Sequence, residues 1–593
     1  MNYKEKYNLW IKSEIIDLDT KKELSSIKDE KELEERFYRE LEFGTGGLRG
    51  IIGAGSNRMN IYTIGKVTQG LADYLINTYG TSDASVSIAY DSRNKSIDFA
   101  ETAAKVLTGN GIKVNLFESL RPTPMLSYTV RELGSKAGIV ITASHNPKQY
   151  NGYKVYGDDG GQVTDENAAK ILSYIESVDD FAKIKNLDLE EAKNSGLLKI
   201  IGEDIDKKYI DQVKGLTLRK ELVKEYAKNL KIIYTPIHGA GNVPIRRVLK
   251  ELGYEKVSVV KEQELPDGNF PTAPFPNPEV EDVFKIAMDM AKEIQPDIIF
   301  GTDPDCDRIG VVVRDNSNEY RVLTGNQTGV LLLDYILSSK KDMNTLPKNA
   351  AAIKTIVTTE MAANIAKYYE VELIDVLTGF KYIGEKVKEF EQSNSNTFLF
   401  GFEESYGYLA GTFVRDKDAV IAATLICEMT LYYKTKGMSL YDALIDLFEK
   451  YGYNREGLVS MEFNGKIGQE KMEDIMEYLR HSMKPTVGDV KIRKKMDYKV
   501  GVEKDLIKLT EKSIDLPKSN VLKFILEDNS WFVVRPSGTE PKMKIYYSVV
   551  GSSLENSEEK LESFKKEIMK IVSWKSFWGE INFHPINMHK FKS

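Results

Sequence analysis

Short runs of β-branched and aromatic residues alternate with helical patterns along most of this chain, and the alternation comes in three similar blocks. The first block has apolar runs at 86–90, 113–117 and 137–141 with a helical pattern around 97–107. The second has runs at 231–234, 257–260 and 297–300 with a helical pattern near 243–252. The third has runs at 352–357, 372–376 and 397–400. Strand, helix, strand in this order predicts α/β layers. The last block differs: runs at 523–526, 531–534 and 544–547 are closely spaced, with helical patterns at 470–481 and 557–571. That spacing predicts a small α+β domain with an antiparallel sheet. At roughly 150 residues per domain, 593 residues make about four domains. The boundaries fall near 205, 322 and 450. Residues 1–40, rich in Lys and Glu, read as exposed helices. Residues 573–593 belong to no block and are expected to be dispensable.

Charge narrows the function classes. With 82 Lys and Arg against 89 Asp and Glu, the net charge is −7, so no global basic field favours nucleic acid or an anionic membrane. Any bound anion must be held by local groups. Two cysteines, Cys306 and Cys427, make neither a disulfide framework nor a zinc site. The charged N-terminus lacks a signal-like apolar run, and the stretch 419–433 is too short and polar to span a membrane. A cytoplasmic protein is expected.

Five constellations could carry chemistry. Asp303, Asp305 and Asp307 alternate directly after an apolar run. In an extended segment that spacing puts all three carboxylates on one side, and Pro304 disfavours helix at Asp303. Like charges so close repel unless a cation lies between them, and hard oxygen ligands suit Mg²⁺. An EF-hand is excluded by Arg308 and Arg314 at positions that need Gly and Glu. A solvated acidic turn is the bland alternative. Next, Thr142-Ala143-Ser144-His145-Asn146-Pro147 also ends an apolar run, where α/β sheets place ligands. Ser144 beside His145 invites a hydrolase reading, but GxSxG is absent, and a proline-closed turn explains the segment as well. Arg535-Pro536-Ser537-Gly538-Thr539 offers an arginine, two hydroxyls and a glycine, a natural phosphate cradle. Glu403, Glu404 and Ser405, after a further apolar run, could bond sugar hydroxyls. The glycine-rich segment 44–50 fits neither nucleotide-binding glycine pattern.

Taken in order, these loops resemble the α-D-phosphohexomutase superfamily, the phosphoglucomutases and phosphomannomutases, from Phe43 to about Tyr547. Segments 43–50 and 378–381 match as well. The N-terminal extension and Phe402-Glu403-Glu404-Ser405-Tyr406-Gly407 look most like the bacterial phosphoglucomutase type, related to phosphopentomutase and glucose-1,6-bisphosphate synthase. The resemblance implies four domains around a central cleft: three similar α/β domains with mixed sheets, and the C-terminal α+β domain. Residues 1–205 would carry the phosphoserine loop, 206–322 the metal loop, 323–450 the sugar loop and 451–572 the phosphate loop. It also implies roles. Ser144 would carry a phosphoryl group and join Asp303, Asp305 and Asp307 around Mg²⁺. Arg49, Arg308, His145 and Lys154 would serve catalysis, with Lys154 the candidate general acid/base. Glu403, Ser405, Gly379 and Lys381 would grip the sugar, and Arg535, Ser537, Gly538, Thr539 and Arg415 its non-transferring phosphate.

The activity so implied is interconversion of glucose 1-phosphate and glucose 6-phosphate, with glucose 1,6-bisphosphate as intermediate and activator. Hexose phosphate is the implied partner. Phosphomannomutase, phosphopentomutase and bisphosphate synthase activities stay open, because Glu403 and Ser405 do not specify an epimer. A silent phosphosugar-binding protein is disfavoured by the intact serine and aspartates.

Overall fold

The computed structural model describes all residues except Thr45, Asn464, 537–541, 574–582 and 585–593. The chain divides into two compact units. One comprises Met1–Thr328, Tyr335–Ala351 and Phe380–Tyr441; the other comprises Gly329–Asp334, Ala352–Gly379 and the chain from Asp442 onward. The first two α/β blocks lie wholly in the first unit, and the C-terminal block lies wholly in the second.

The first block is a six-stranded sheet in the order Gly47–Ile51, Tyr150–Gly157, Ala137–Ile141, Ser85–Tyr90, Lys113–Phe117, Leu198–Ile201. Ala137–Ile141 runs parallel to Ser85–Tyr90 but antiparallel to Tyr150–Gly157, so the sheet is mixed. Every residue of Ala137–Ile141 is buried, as a strand covered by helices on both faces requires. The second block repeats the plan with five strands. Ile298–Thr302 runs parallel to Lys231–Thr235 and antiparallel to Ile309–Arg314. In both blocks a fully buried central strand ends in the loop that the sequence marks for chemistry.

The third block supplies the paired strands Thr397–Glu403 and Gly407–Leu409 to the first unit. Its following helix, Ala419–Thr435, is buried from Ala419 through Leu431. That matches the reading of this stretch as a core helix; among the described residues, no helix is long and apolar enough to cross a membrane. In the second unit the C-terminal block is antiparallel throughout. The long strands Tyr453–Glu462 and Lys542–Gly551 pair along their whole length.

One expectation needs correction. Residues 1–40 are helical but not merely exposed, for Trp10, Ile16, Leu24 and Phe37 form a small core with Ala54 and Tyr62. The Lys- and Glu-rich composition hides four apolar side chains that all turn inward. The 573–593 tail, assigned to no block, contributes the two-residue strand Phe583–His584, which pairs with Met461 and Ser460.

Candidate active site

Three loops of the first unit meet here. Ser144 follows the strand Ala137–Ile141 and adopts φ +52°, with its amide hydrogen-bonded to Thr142 Oγ1 at 2.8 Å. Its hydroxyl donates to Asp303 Oδ2 at 2.8 Å and lies 3.2 Å from His145 Nδ1. Burial, with Arg308 and Arg49 nearby, holds His145 well below its ordinary pKa, so its imidazole is neutral.

Asp303, Asp305 and Asp307 bring carboxylate oxygens within 4.8 Å of one another, all buried. The backbone does not achieve this by staying extended. It turns, with the Cys306 amide bonded to the Asp303 carbonyl at 2.9 Å and Cys306 at φ +53°. Convergence therefore comes from a tight turn, because an extended run would spread alternate carboxylates along the sheet. The Cys306 thiol is buried, and burial pushes its pKa well up, so it remains an inert thiol.

Like charges about 4 Å apart repel by about 4 kcal/mol at an effective dielectric near 20. Two lysines meet part of that cost. Lys154, on the strand Tyr150–Gly157, reaches Asp305 at 2.9 Å and Asp307 at 3.4 Å. Lys417 reaches Asp307 at 3.2 Å and Asp416 at 3.1 Å. Burial opposes charge on each lysine, but the facing carboxylates outweigh it and raise both pKa values. At Asp305 burial is likewise outweighed, chiefly by Lys154, and the carboxyl stays below its ordinary range. At Asp303 burial, reinforced by Asp305 and Asp307, pushes the carboxyl well up.

A metal fits the residues present. Asp305 Oδ1 and Asp307 Oδ1 are buried and have no hydrogen-bond partner. Hard oxygens without partners on two of three converging carboxylates are what a divalent cation satisfies.

Sequence reasoning missed several contributors. Lys417 lies in a run of alternating charge, Arg415-Asp416-Lys417-Asp418, just before an apolar helix, and that pattern was the available signal. Glycine at 407 is what lets it in: a Cβ there would stand 2.2 Å from Lys417 Cδ. Glu279, which bonds Arg308 Nη1 at 2.6 Å, had no distinguishing signal. Nor did Thr123, whose hydroxyl donates to Asp305 Oδ2 at 2.9 Å.

The other expected residues are placed as follows. Arg49 bonds Asn146 Oδ1 at 3.1 Å, beside Ser144. Arg308 meets the 401–407 loop through its backbone, which bridges Gly407, while Ile309 N–H bonds the Tyr406 carbonyl at 3.2 Å. Glu403 ends the strand Thr397–Glu403 opposite Gly407, and Ser405 lies in the turn between. Lys381 is held by Asp165 at 2.5 Å. Arg415 bonds Glu391 and the Thr412 carbonyl, lining a cavity of about 300 Å³ with Arg131, Asp159 and Lys388 rather than joining the aspartates. In the second unit, Gly379 has φ +122°, and Arg535 lies on the strand Trp531–Pro536 opposite Lys544. Ser537, Gly538 and Thr539 lie outside the described residues.

Fold and site together define a multidomain α/β protein that sets a serine hydroxyl against three metal-competent aspartates. Comparison with known proteins makes this specific. Residues 40–181, 207–316 and 324–451 match the family models for phosphoglucomutase/phosphomannomutase alpha/beta/alpha domains I, II and III, and 490–570 match the C-terminal domain. A phosphoglucomutase of Staphylococcus saprophyticus is 36% identical over 557 residues, covering 94% of this chain and 98% of its own. One from Staphylococcus aureus is 35% identical over 533 residues, covering 90% and 94%. The fold is shared with parafusin, a phosphoglucomutase from Paramecium solved in an open form (TM-score 0.65, 16% identity, 92% of this chain and 96% of that one). It is also shared with a phosphoglucomutase/phosphomannomutase family protein from Burkholderia thailandensis (TM-score 0.65, 17% identity, 91% and 98%). The chain belongs to the phosphoglucomutase/phosphomannomutase family. Its architecture is four α/β domains, with mixed sheets in the first three and an antiparallel sheet in the fourth.

Proposed function

We propose that this protein interconverts glucose 1-phosphate and glucose 6-phosphate, an isomerase acting by intramolecular phosphoryl transfer through phospho-Ser144 and a glucose 1,6-bisphosphate intermediate. The observation that carries the reading is the Ser144 hydroxyl bonded at 2.8 Å to Asp303, one of three buried aspartates, the other two of which each keep an oxygen with no hydrogen-bond partner. The staphylococcal relatives are named phosphoglucomutases, which favours glucose over other hexoses.

Asp303, Asp305 and Asp307 would hold Mg²⁺ together with an oxygen on Ser144; bound there, the metal would neutralise charge on the transferring phosphoryl group. The chain's own residues do the rest. In the forward step the Ser144 Oγ–P bond breaks as a bond forms from phosphorus to the free sugar hydroxyl, whose proton must leave. Lys154 is the acid/base candidate: its facing carboxylates keep it protonated, so it would give its proton to the departing Oγ and be reprotonated by the one the sugar hydroxyl releases. Neutral His145, 3.2 Å from Oγ, orients that oxygen without adding charge. The bisphosphate then turns end for end, and Ser144 takes the other phosphate. Glu403 and Ser405 would hold sugar hydroxyls in both orientations. Arg535, with Ser537, Gly538 and Thr539, would hold the phosphate that is not transferring, with Lys381 and Arg415 as further cations. The cytoplasm is the compartment this reading proposes.

The test is a side-by-side measurement of kcat/KM on glucose, mannose, glucosamine and ribose 1-phosphates, with and without added glucose 1,6-bisphosphate. The expected result is strongest turnover on glucose 1-phosphate, stimulated by the bisphosphate. Faster turnover of ribose or mannose phosphate would replace the substrate, and no phosphate transfer to Ser144 by mass spectrometry would end the mechanism.

A further inference from the structure

Ser144 is held at φ +52°, a left-handed conformation that costs a residue bearing a Cβ about 1–2 kcal/mol. Something must impose it. The loop from Ser144 to Tyr150 closes around a single side chain, Arg93, whose guanidinium is wholly buried. Arg93 Nη2 donates to the Ser144 and Asn146 carbonyls, each at 2.5 Å. Its Nη1 donates to the Pro147 and Tyr150 carbonyls at 3.0 and 3.1 Å. Four carbonyls of one loop thus converge on one planar fork, a pattern that arginine makes and lysine, a point charge with three rotatable donors, does not. Asp91 faces the remaining edge, with Nε 3.3 Å from Oδ2.

The outer face of the guanidinium is covered from the second block. The Phe270 ring lies 5.0 Å from Arg93 Cζ. Its segment docks tightly on the Arg93–Asn94 backbone: a Cβ on Gly268 would stand 2.3 Å from the Asn94 nitrogen, and Asn94 bonds Asn269 at 3.2 Å. That segment is tied in turn to the metal loop. His238 Nδ1 and Nε2 contact the Leu265 carbonyl at 3.1 Å and Thr272 Oγ1 at 3.0 Å. Two residues further on, the Ala240 amide bonds the Pro304 carbonyl at 2.8 Å. A Cβ on the intervening Gly239 would stand 2.6 Å from Pro304 Cα.

We infer that Arg93, clamped between the Ser144–Tyr150 carbonyls and Phe270, is the positioning residue that registers the phosphate-carrying serine against the aspartate loop. Through Phe270 and His238 the serine loop and the Asp303–Asp307 loop share one brace, so the distance from Ser144 Oγ to Asp303 is set from behind both loops. Arg93 touches no reacting atom. Its effect is on the geometry of a step whose rate falls on the order of 100-fold for a misplacement of about 1 Å.

The inference rests on phosphoryl transfer through Ser144 as proposed above, and the experiment separates the two. Wild type, Arg93→Lys, Phe270→Leu and Phe270→Tyr are compared by kcat, KM for glucose 1-phosphate, phospho-Ser144 formed from glucose 1,6-bisphosphate, and thermal midpoint. Arg93→Lys keeps the charge and loses the fork: kcat is expected to fall on the order of 100-fold with KM within about threefold. Phe270→Leu keeps an apolar cover without the π face and is expected to lose about 5- to 10-fold in kcat, restored by Phe270→Tyr. Phosphorylation of Ser144 should slow in parallel. A folded Arg93→Lys protein with wild-type kcat, or a loss confined to KM, overturns the inference while leaving the mutase reading intact. If Arg93→Lys does not fold, the Phe270 pair decides, and equal kcat in Phe270→Leu and wild type overturns it. An inactive wild type that never phosphorylates Ser144 counts against the mutase reading instead.

Discussion

Two clusters of lysines and carboxylates, one in each unit, are built from the same kinds of group and do opposite things. In the second unit, Lys354 Nζ lies 3.0 Å from Asp375 and 3.3 Å from Glu360, and Lys523 Nζ lies 3.0 Å from Glu360 and 2.9 Å from the Ile356 carbonyl. Two cations face two anions, and burial of Glu360 is outweighed by Lys354 and Lys523, which hold its carboxyl down to about 2. In the first unit three aspartates converge, Lys154 pairs with Asp305 and Asp307 and Lys417 with Asp307, and two carboxylate oxygens have no hydrogen-bond partner. A cluster whose charges balance has little left to offer a ligand. An unbalanced one with unmet oxygens is costly to bury and persists where a further cation or a reacting group completes it.

The sharpest way to break that contrast is Ser144→Ala. It leaves the aspartates in place, and mutase turnover is expected to fall about 10⁴-fold or more, measured with a coupled assay; undiminished turnover would remove the serine from the mechanism. Asp305→Asn comes next. It takes one charge from the unbalanced cluster and deprives Lys154 of its nearest partner, so kcat is expected to drop about 10²- to 10³-fold, with a weaker Mg²⁺ requirement curve read by activity and by thermal shift. Chelation should silence the wild type and added Mg²⁺ restore it.

The same kind of substitution in the balanced cluster should read out in stability instead. Glu360→Gln takes the carboxylate from buried Lys523 and leaves buried Lys354 with Asp375 alone. Because the Glu360 side chain is 36% exposed, the cost is expected at about 2–3 kcal/mol in urea unfolding rather than the larger loss of a fully buried pair, with Mg²⁺ affinity unchanged. A large loss of activity at full stability would erase the distinction between the clusters.

The smallest effect concerns a buried carboxyl with no cation at all. Burial pushes Asp418 up to about 7, against the hydrogen bonds from the Ile421 and Val420 amides and the Tyr209 hydroxyl. The folded state therefore holds a proton that the unfolded chain releases near 3.8, and stability falls as pH rises from there to about 7. Asn can accept the same cap bonds. Asp418→Asn is expected to gain relative stability across that window, reaching about 1–2 kcal/mol at pH 8 and little at pH 4, by urea midpoints at both.

The α/β blocks were legible because their strands are fully buried and read as continuous apolar runs, as at 137–141 and 298–300. Ser144 and the aspartate triplet were legible because each sits directly after such a run. Lys417 was legible only as a member of the charged run 415–418, since nothing in that run says which of its charges is bound for a buried carboxylate 110 residues away and which for solvent. Arg93 was hidden for the same reason: its value lies in four carbonyls more than 50 residues further along.

Sequence alone determined the layering, the order of the blocks and the residue types at the loop ends, because period and turn chemistry are local properties of the chain. Only the tertiary structure decided which charges stay unbalanced. The turn at Cys306, the opening that Gly407 leaves for Lys417 and the brace behind Ser144 all depend on segments that meet through packing, and electrostatic cost is set by what surrounds a charge in space.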